Sequence, residues 1–186
     1  MIIIKTNRLI LRPIKRTDAP RFAALCNDID IARNTARIPH PYTPDHAREF
    51  VDRSAAAFDD GTEYAFAVCR NDEIIACAGV MQMGGGAVEI GYWVGAAYRR
   101  AGIAVEAAQA VSQYAFEQQG NEKAVAGFFT DNPASGRVLT KIGFTATGEI
   151  AKTNSLGRGG KADTVRMVLH KEDFYSLDSV RFQFLS

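Results

Sequence analysis

Short segments in the first half of the chain have patterns of apolar and polar residues that are typical of strands. Residues 7–14 alternate between polar and apolar side chains, and three further strands are predicted at 64–69, at 74–81 and from Val88 onward. A polar turn separates the first two of these three, and the glycine run 84–86 separates the last two. We therefore predict an antiparallel meander.

Apolar residues at helical spacing predict four helices between and after these strands. Their starts are marked by capping or small residues at Thr17–Asp18, Thr43–Pro44, Gly102 and Asn132–Pro133. The helix from Asn132 is predicted to end at Gly143, because glycine readily adopts the left-handed conformation that terminates helices. Two helices thus precede the main sheet and two follow its meander.

The second half of the chain predicts a parallel strand pair. Residues 124–129 are an almost continuous apolar run, as expected for a strand buried on both faces. Together with the strand that begins at Val88 and the helix from Gly102, this run makes a βαβ unit. The last two strands are predicted at 144–152 and 164–170.

Two peripheral segments complete the prediction. The polar loop 157–161 joins the last two strands, and its Arg158 and Lys161 are expected to be solvated. Residues 173–186 form a C-terminal segment whose aromatic side chains are expected to dock on the body, namely Phe174, Tyr175, Phe182 and Phe184.

Composition narrows the class of protein. The 186 residues are 47% hydrophobic and carry a net charge of +1, which indicates a single domain over 1–186 and gives no basic surface for nucleic acid. We expect no membrane segment and a cytoplasmic location. The three cysteines lack metal-ligand spacing, so we expect buried thiols and no metal site.

The junction before the third helix carries an electrostatic anomaly. Arg99 and Arg100 precede Gly102, although cations normally stabilise the last turn of a helix, where the macrodipole is negative. The first backbone N–H groups of a helix bind anions such as phosphate, and glycine allows their close approach. Exposed arginines at an ordinary turn remain the alternative interpretation.

Two common nucleotide-binding loops do not explain this junction. A phosphate loop of the Walker type needs Gly-Lys followed by Ser or Thr, whereas Gly160-Lys161 is followed by Ala162. The chain also lacks a Gly-x-Gly-x-x-Gly sequence after a strand. The residues therefore favour neither a nucleoside triphosphate nor a dinucleotide.

The junction and its neighbours resemble the GNAT superfamily of N-acetyltransferases. Arg99, Gly102 and Ala104 match the pyrophosphate-binding signature Arg/Gln-x-x-Gly-x-Gly/Ala in order. More narrowly, the chain is similar to the Rim-type branch, which acetylates protein N-termini. The resemblance covers residues 6–173 and rests on motifs at 6–13, 41–43, 89–93 and 132–144.

The resemblance implies a fold, a cofactor and the residues that bind it. The fold would be a GNAT-like α/β fold: a mixed, mostly antiparallel central sheet with a parallel, splayed pair in the middle and helices on both faces. Acetyl-CoA would lay its pyrophosphate on the amides of residues 100–104 and its pantetheine arm between the splayed strands. The implied cofactor-binding residues are Trp93, Val94, Arg99, Arg100, Ala101, Gly102, Ile103, Ala104, Asn132 and Ser135.

The resemblance also implies the catalytic groups. Glu89 is the candidate base that deprotonates the amine, directly or through water, and a solvated strand carboxylate is the alternative. Ser135 is the candidate proton donor to the departing thiolate, or it merely satisfies an N–H of the first helical turn. Asn132 is a helix cap, a pantetheine ligand or both. Tyr92 and Trp93 are expected to serve mainly in packing.

The implied reaction is direct transfer of an acetyl group from acetyl-CoA to a primary amine, with a protein or peptide N-terminus as the first choice of acceptor. A small-molecule amine is the alternative acceptor. An acyl-CoA-binding sensor or protein-interaction module without turnover is the alternative function. The oligomeric state is left open between monomer and homodimer.

Overall fold

The computed structural model describes residues 2–184, and within that range nine strands form one sheet flanked by five helices. The strands are β1 (Ile2–Lys5), β2 (Ile10–Pro13), β3 (Glu63–Arg70), β4 (Glu73–Gly84), β5 (Ala87–Val94), β6 (Lys123–Phe129), β7 (Thr145–Ser155), β8 (Gly160–His170) and β9 (Arg181–Phe184). The helices are α1 (Ala19–Cys26), α2 (Ile29–Arg33), α3 (Pro44–Asp59), α4 (Ile103–Glu117) and α5 (Pro133–Lys141). No helix of the described part is long and apolar enough to cross a membrane.

The sheet has the order β7-β8-β6-β5-β4-β3-β2-β1-β9. Strands β3, β4 and β5 form the predicted meander, and only β5 and β6 pair in parallel among the described strands. Helix α4 makes the crossover between these two strands. The structure thus confirms the mixed, mostly antiparallel sheet with a parallel pair in its middle.

Hydrophobic cores lie on both faces of this sheet. On one face, α4 and α5 pack on the sheet through residues such as Val111, Tyr114 and Leu139, which are at most 2% exposed. On the other face, α1 and α3 enclose a smaller core that includes Phe22 and Val51. All three cysteines are buried and free, as predicted. Helices therefore cover both faces, and the two cores are separated by the sheet.

Local capping chemistry sets the helix ends that matter for the site. Thr43 accepts a hydrogen bond from the amide of His46 at the start of α3, and Asn132 accepts one from the amide of Ser135 at the start of α5. Gly143 follows α5 with a φ of +103°, a conformation that favours glycine. These predicted caps are confirmed.

The first and last described strands pair with each other, which the residue pattern does not predict. β9 forms an antiparallel ladder with β1, and this ladder makes one edge of the sheet. Of the four aromatic residues expected to dock, Phe174 and Phe182 pack against the main core, whereas Tyr175 and Phe184 are 79% and 67% exposed. The prediction of docking is therefore wrong for Tyr175 and Phe184.

Two strand predictions also need correction. Strand β6 is not buried on both faces, because Gly127 is exposed where one face of the strand borders a cavity. Strands β7 and β8 extend to Ser155 and from Gly160, so the connection between them is much shorter than predicted. The resulting long hairpin reaches α2, and this contact shapes the site.

Candidate active site

The parallel strands β5 and β6 pair at only one end. Their register runs through Ala87–Lys123 and Val88–Ala124 and stops at Glu89–Val125. Beyond this point β5 stays paired with β4 as far as Val94, while β6 stays paired with β8. The strands therefore separate, and the facing backbone groups of both lack strand partners. This gap is the splayed pair that the resemblance implied.

A cavity of about 660 Å³ extends through the gap from one face of the sheet to the other. Successive side chains of a strand point to opposite faces. Ile90 and Tyr92 lie on the α4/α5 face, and Trp93 packs with the core on the α1/α3 face. By the same alternation Glu89 lies on the α1/α3 face. Residues of both sets line the cavity, which therefore connects the two faces.

Glu89 sits at the point where the strands separate, and it is paired with a cation. Arg166 of β8 places its Nη1 3.1 Å from Glu89 Oε1. Arg166 lies opposite Gly127 in the ladder, and a Cβ on Gly127 would come within 3.1 Å of Arg166 Nη1. Glycine at 127 thus leaves room for the guanidinium to reach across β6. Among the described residues Glu89 Oε2 accepts no hydrogen bond, so this oxygen is available within the cavity.

A second carboxylate lies in the same row of the sheet. Glu63 is opposite Met81 in the β3–β4 ladder, and Met81 is opposite Glu89 in the β4–β5 ladder. Arg37, from the segment between α2 and α3, binds both oxygens of Glu63 at 2.8 and 3.0 Å. Each of these two carboxylates is therefore neutralised by its own arginine.

Ser135 lies in the first turn of α5, on the opposite face of the sheet from Glu89. Its amide donates to Asn132 Oδ1 at 3.3 Å, so Asn132 serves as the helix cap. A Cβ on Gly136 would meet the ring of Phe128 at 2.7 Å, which shows how closely this turn packs on β6. The Ser135 hydroxyl is 2.9 Å from the Tyr92 hydroxyl. Ser135 and Tyr92 both line the cavity.

The junction before α4 exposes a set of unpaired amides. Arg100 and Gly102 both have positive φ values, +62° and +77°, and α4 begins at Ile103. Within residues 2–184 the amides of residues 100–105 have no backbone acceptor. These N–H groups therefore carry the positive end of the helix dipole without an internal partner.

The arginines at this junction have protein partners of their own. Arg99 donates to the carbonyl oxygen of Val94 at 3.2 Å and pairs with Asp28, the N-cap of α2, and with Asp30 in its first turn. Its side chain thus ties α2 to the end of β5, and the carboxylates explain the cation that seemed out of place in the sequence. Arg100 forms no ion pair with any residue of the described part of the chain.

Arg8 also contacts this junction, although the residue pattern gave it no role. Its Nη1 donates to the carbonyl oxygen of Ala101 at 3.0 Å, and its Nε donates to Glu106 at 2.8 Å. The Nη2 atom would be 3.2 Å from a Cβ on Gly102. Arg8 therefore adds a further guanidinium to those of Arg99 and Arg100 near the start of α4, and Glu106 balances its charge.

The tip of the β7–β8 hairpin closes one wall of the cavity. The amide of Leu156 donates to the carbonyl of Ala36 at 3.0 Å, and the Ser155 hydroxyl donates to the carbonyl of Thr35 at 2.8 Å. Gly157 lies directly on α2, because a Cβ there would overlap the carbonyl group of Ala32. The hairpin and the segment 34–39 therefore form one continuous wall.

Arg158 is part of this contact, so the prediction of a solvated Arg158 is wrong. It binds both oxygens of Asp131 at 2.7 and 3.0 Å and lies over the ring of Phe129. Arg33 of α2 pairs with the same carboxylate at 3.1 Å. Hydrogen bonds from Arg158, together with its charge, lower the pKa of Asp131. The wall is thus held by charge as well as by packing.

The comparisons with known proteins agree with this arrangement. Residues 8–145 match the family described as "Acetyltransferase (GNAT) domain", which is more than half of the chain. The chain belongs to the GNAT acetyltransferase family. It is 30% identical over 150 residues to the uncharacterized N-acetyltransferase YoaA of Bacillus subtilis, a match that covers 78% of this chain and 84% of YoaA.

Solved structures of GNAT proteins share the fold. The ribosomal L7/L12 α-N-protein acetyltransferase RimL, solved with coenzyme A, matches with a TM-score of 0.81 and 19% identity, over 91% of this chain and 98% of RimL. RimJ of Mycobacterium smegmatis, in complex with CoA-disulfide, matches with a TM-score of 0.80 and 18% identity, over 92% of this chain and 88% of RimJ. This GNAT protein is accordingly an N-acetyltransferase whose acetyl donor is acetyl-CoA.

The structure places three of the residues selected from the sequence around one cavity, whereas the junction residues 99–104 and the helix cap Asn132 do not line it. Glu89, Trp93 and Ser135 line one cavity, and Val94 lies at the end of the β5 edge beside the gap. The residue pattern missed the Arg166 partner of Glu89 and the hydroxyl contact of Tyr92. Little in the sequence indicates either contact. An arginine in a strand is usually a surface residue, and a tyrosine in an apolar strand is usually a core residue.

The wall makes a testable prediction at Gly157. Substituting Gly157→Ala should lift the hairpin from α2, because the new methyl group meets the backbone of Ala32. Amide hydrogen exchange should become faster in both segments 32–38 and 153–158, where the bond from Leu156 to Ala36 is lost. Gly160→Ala is the matched control, since no atom lies within 4 Å of a Cβ there. Equal exchange in the two variants would contradict the close contact.

Proposed function

We propose that this GNAT protein acetylates the α-amino group of a protein or peptide N-terminus by direct attack on acetyl-CoA. Glu89 takes the proton of the amine, and Ser135 donates a hydrogen bond to the departing sulfur. The observation that carries the proposal is the cavity through the β5–β6 gap, with Glu89 on one face of the sheet and Ser135 on the other.

The cofactor half of the proposal rests on two sets of unpaired backbone groups. The pyrophosphate of acetyl-CoA lies on the amides of residues 100–104, which have no backbone acceptor of their own among the described residues. The pantetheine arm enters the gap and pairs with the free edge of β5 up to Trp93 and Val94. Backbone amides near Val94 polarise the thioester carbonyl. The role of Arg99 is then to hold the loop in place.

The reaction requires a neutral amine, which makes an N-terminus a suitable acceptor. An α-amino group has a pKa of about 7.7 to 8.0, whereas that of a lysine side chain is about 10.4. Because the α-amine already loses its proton near neutral pH, Glu89 can deprotonate it more easily than it could a lysine side chain. Its Oε2 atom is available to do so, while Oε1 is held by Arg166.

The shape of the cavity supports an acceptor that enters by its end. The wall formed by the hairpin and segment 34–39 lines the same cavity as Glu89 and leaves less room for an extended peptide on that side. A chain terminus reaches the base without crossing the wall. An internal lysine, by contrast, brings flanking chain to both sides of the entrance, although its amine stands at the end of a four-carbon stem.

The charge of the cavity argues against a polycationic acceptor. Apart from His46, the described side chains that line the cavity include equal numbers of negative and positive groups. These are three carboxylates and three guanidiniums, namely Glu49, Glu63, Glu89, Arg37, Arg53 and Arg166. Such a lining provides no net attraction for several positive charges at once. An acceptor with one amine fits it better.

Matched peptides test the choice of acceptor. We expect acetylation of a short peptide with a free N-terminus, and loss of most activity when the same peptide is N-terminally blocked but carries an internal lysine. The product is measured by CoA release and by mass spectrometry of the peptide. Preference for the blocked lysine peptide would contradict the proposal, and exclusive turnover of small monoamines would replace the peptide by a small acceptor.

A glycine substitution tests the amide site. At about 100 times its dissociation constant, CoA should stabilise the wild type by roughly 2.7 kcal/mol and raise its melting temperature by several degrees. Gly102→Glu should abolish this shift, because it places a carboxylate where the pyrophosphate binds. Gly102→Ala adds the same left-handed strain without the charge and should keep a measurable shift. A full shift in Gly102→Glu would exclude these amides as the phosphate site.

Two substitutions separate the base from its ion pair. Glu89→Gln should lower kcat by about 10² to 10⁴ with CoA affinity unchanged, and the deficit should shrink as pH rises because more of the amine is already neutral. Arg166→Gln breaks the same ion pair but keeps the carboxylate, so its deficit should be far smaller. The pH profiles of kcat for both variants provide the measurement. Equal, pH-independent deficits would show that the ion pair matters and the base does not.

A further inference from the structure

The hydroxyl of Tyr92 has an unusual pair of neighbours. Its oxygen is 2.9 Å from the Oγ atom of Ser135 and 3.2 Å from the carbonyl oxygen of the same residue. Within the described chain it has no other hydrogen-bond partner. The ring packs against the core beneath α4 and α5, a role that a phenylalanine would fill equally well. The hydroxyl therefore serves Ser135 alone.

We propose that Tyr92 is a positioning residue that controls the direction of the Ser135 hydroxyl proton. In this proposal the Tyr92 hydroxyl donates to Ser135 Oγ, and the Ser135 proton is thereby directed into the gap toward the sulfur of the cofactor. The inference rests on the proposed function, in which Ser135 contacts the departing sulfur.

The proton count of the two hydroxyl groups supports this role. The backbone carbonyl of Ser135 only accepts hydrogen bonds, whereas the side-chain hydroxyl of Ser135 both donates and accepts them. If Tyr92 donates to the carbonyl, the Ser135 proton can rest on the tyrosine oxygen. If Tyr92 donates to Oγ, the tyrosine oxygen no longer accepts a hydrogen bond from Ser135. The Ser135 hydroxyl then donates to another acceptor. A sulfur that gains negative charge in the gap is such an acceptor and favours the second arrangement.

Burial keeps the tyrosine in its donor form. Loss of solvent raises the pKa of Tyr92 to about 12, although the hydrogen bond with Ser135 opposes this rise. The phenol thus remains protonated across the working range of pH. Tyr92 supplies a hydrogen bond and not a proton to the reaction.

The bonds formed and broken in the transfer balance, and neither the Tyr92 nor the Ser135 hydroxyl loses its proton. The amine nitrogen forms a bond to the acetyl carbon, and its proton passes to Glu89. The carbon–sulfur bond breaks, and its electron pair leaves on the sulfur as a thiolate. Ser135 and Tyr92 end with the protons they began with, because each only donates a hydrogen bond. The thiolate takes a proton from solvent after release.

A titration of bound CoA tests the inference without an acceptor. The ultraviolet absorbance of the thiolate reports the pKa of the CoA thiol on the wild type, Tyr92→Phe, Ser135→Ala and the double variant. A hydrogen bond to the charged sulfur lowers this pKa, so each single variant should raise it by about one unit relative to the wild-type complex. The double variant should match Ser135→Ala, because Tyr92 acts through Ser135.

Turnover gives an independent measurement. Tyr92→Phe should lower kcat by about tenfold, the effect of one hydrogen bond to a charged group, with the KM for acetyl-CoA within about twofold. In the Ser135→Ala background it should have no further effect. With the selenoester analogue of acetyl-CoA, whose selenolate leaves more readily, the deficits of both single variants should shrink.

A second buried tyrosine provides the matched control. Tyr114 packs in the same core, and its hydroxyl accepts from Gln119 at 2.7 Å, away from the cavity. Tyr114→Phe should leave the thiol pKa and kcat unchanged. The melting temperatures of Tyr92→Phe and Tyr114→Phe show whether either loss of a hydroxyl has disturbed the fold.

The outcomes separate this inference from the proposed function. Deficits of Tyr92→Phe and Ser135→Ala that add in the double variant would overturn the inference and leave the acetyltransferase reaction intact. So would an unchanged thiol pKa in Tyr92→Phe beside a raised one in Ser135→Ala. Absence of peptide turnover by the wild type would overturn the proposed acceptor, while the thiol titration would still decide the role of Tyr92.

Discussion

The early end of the β5–β6 ladder is the constraint on which the site depends. Parallel pairing stops at Glu89–Val125, so the sheet opens in its middle while β4 and β8 hold the two separating strands from outside. The opening leaves backbone groups without partners and connects two faces that a closed sheet would isolate. Glu89 and Ser135, which lie on opposite faces of the sheet, share one cavity only because this opening exists.

Local chemistry made a large part of this fold predictable. The meander of β3, β4 and β5 follows from short apolar runs and from the turns between the strands. The starts of α3 and α5 follow from Thr43 and Asn132, whose side chains cap their own helices. These features depend on contacts within a few residues, and a residue pattern records such contacts directly.

The contacts that complete the site join residues far apart in the chain. Arg99 meets Asp28 across 71 positions, and Arg166 meets Glu89 across 77. No periodicity encodes such pairs, because any exposed arginine is compatible with many partners. The exposure of Gly127 on β6 was unpredictable for the same reason: an apolar run does not reveal that a cavity lies beside it. The ladder between β1 and β9 likewise depends on the whole sheet.

The cavity that connects the two faces of the sheet has a consequence for the order in which substrates bind. Cys26 and Cys77 line it, but burial raises the pKa of both thiols, so neither offers a thiolate that could carry the acetyl group between substrates. In the proposed reaction, thioester and amine are then bound together in the cavity that joins the two faces of the sheet. A direct transfer of this kind predicts sequential kinetics through a ternary complex, in which neither product has to leave before the second substrate binds.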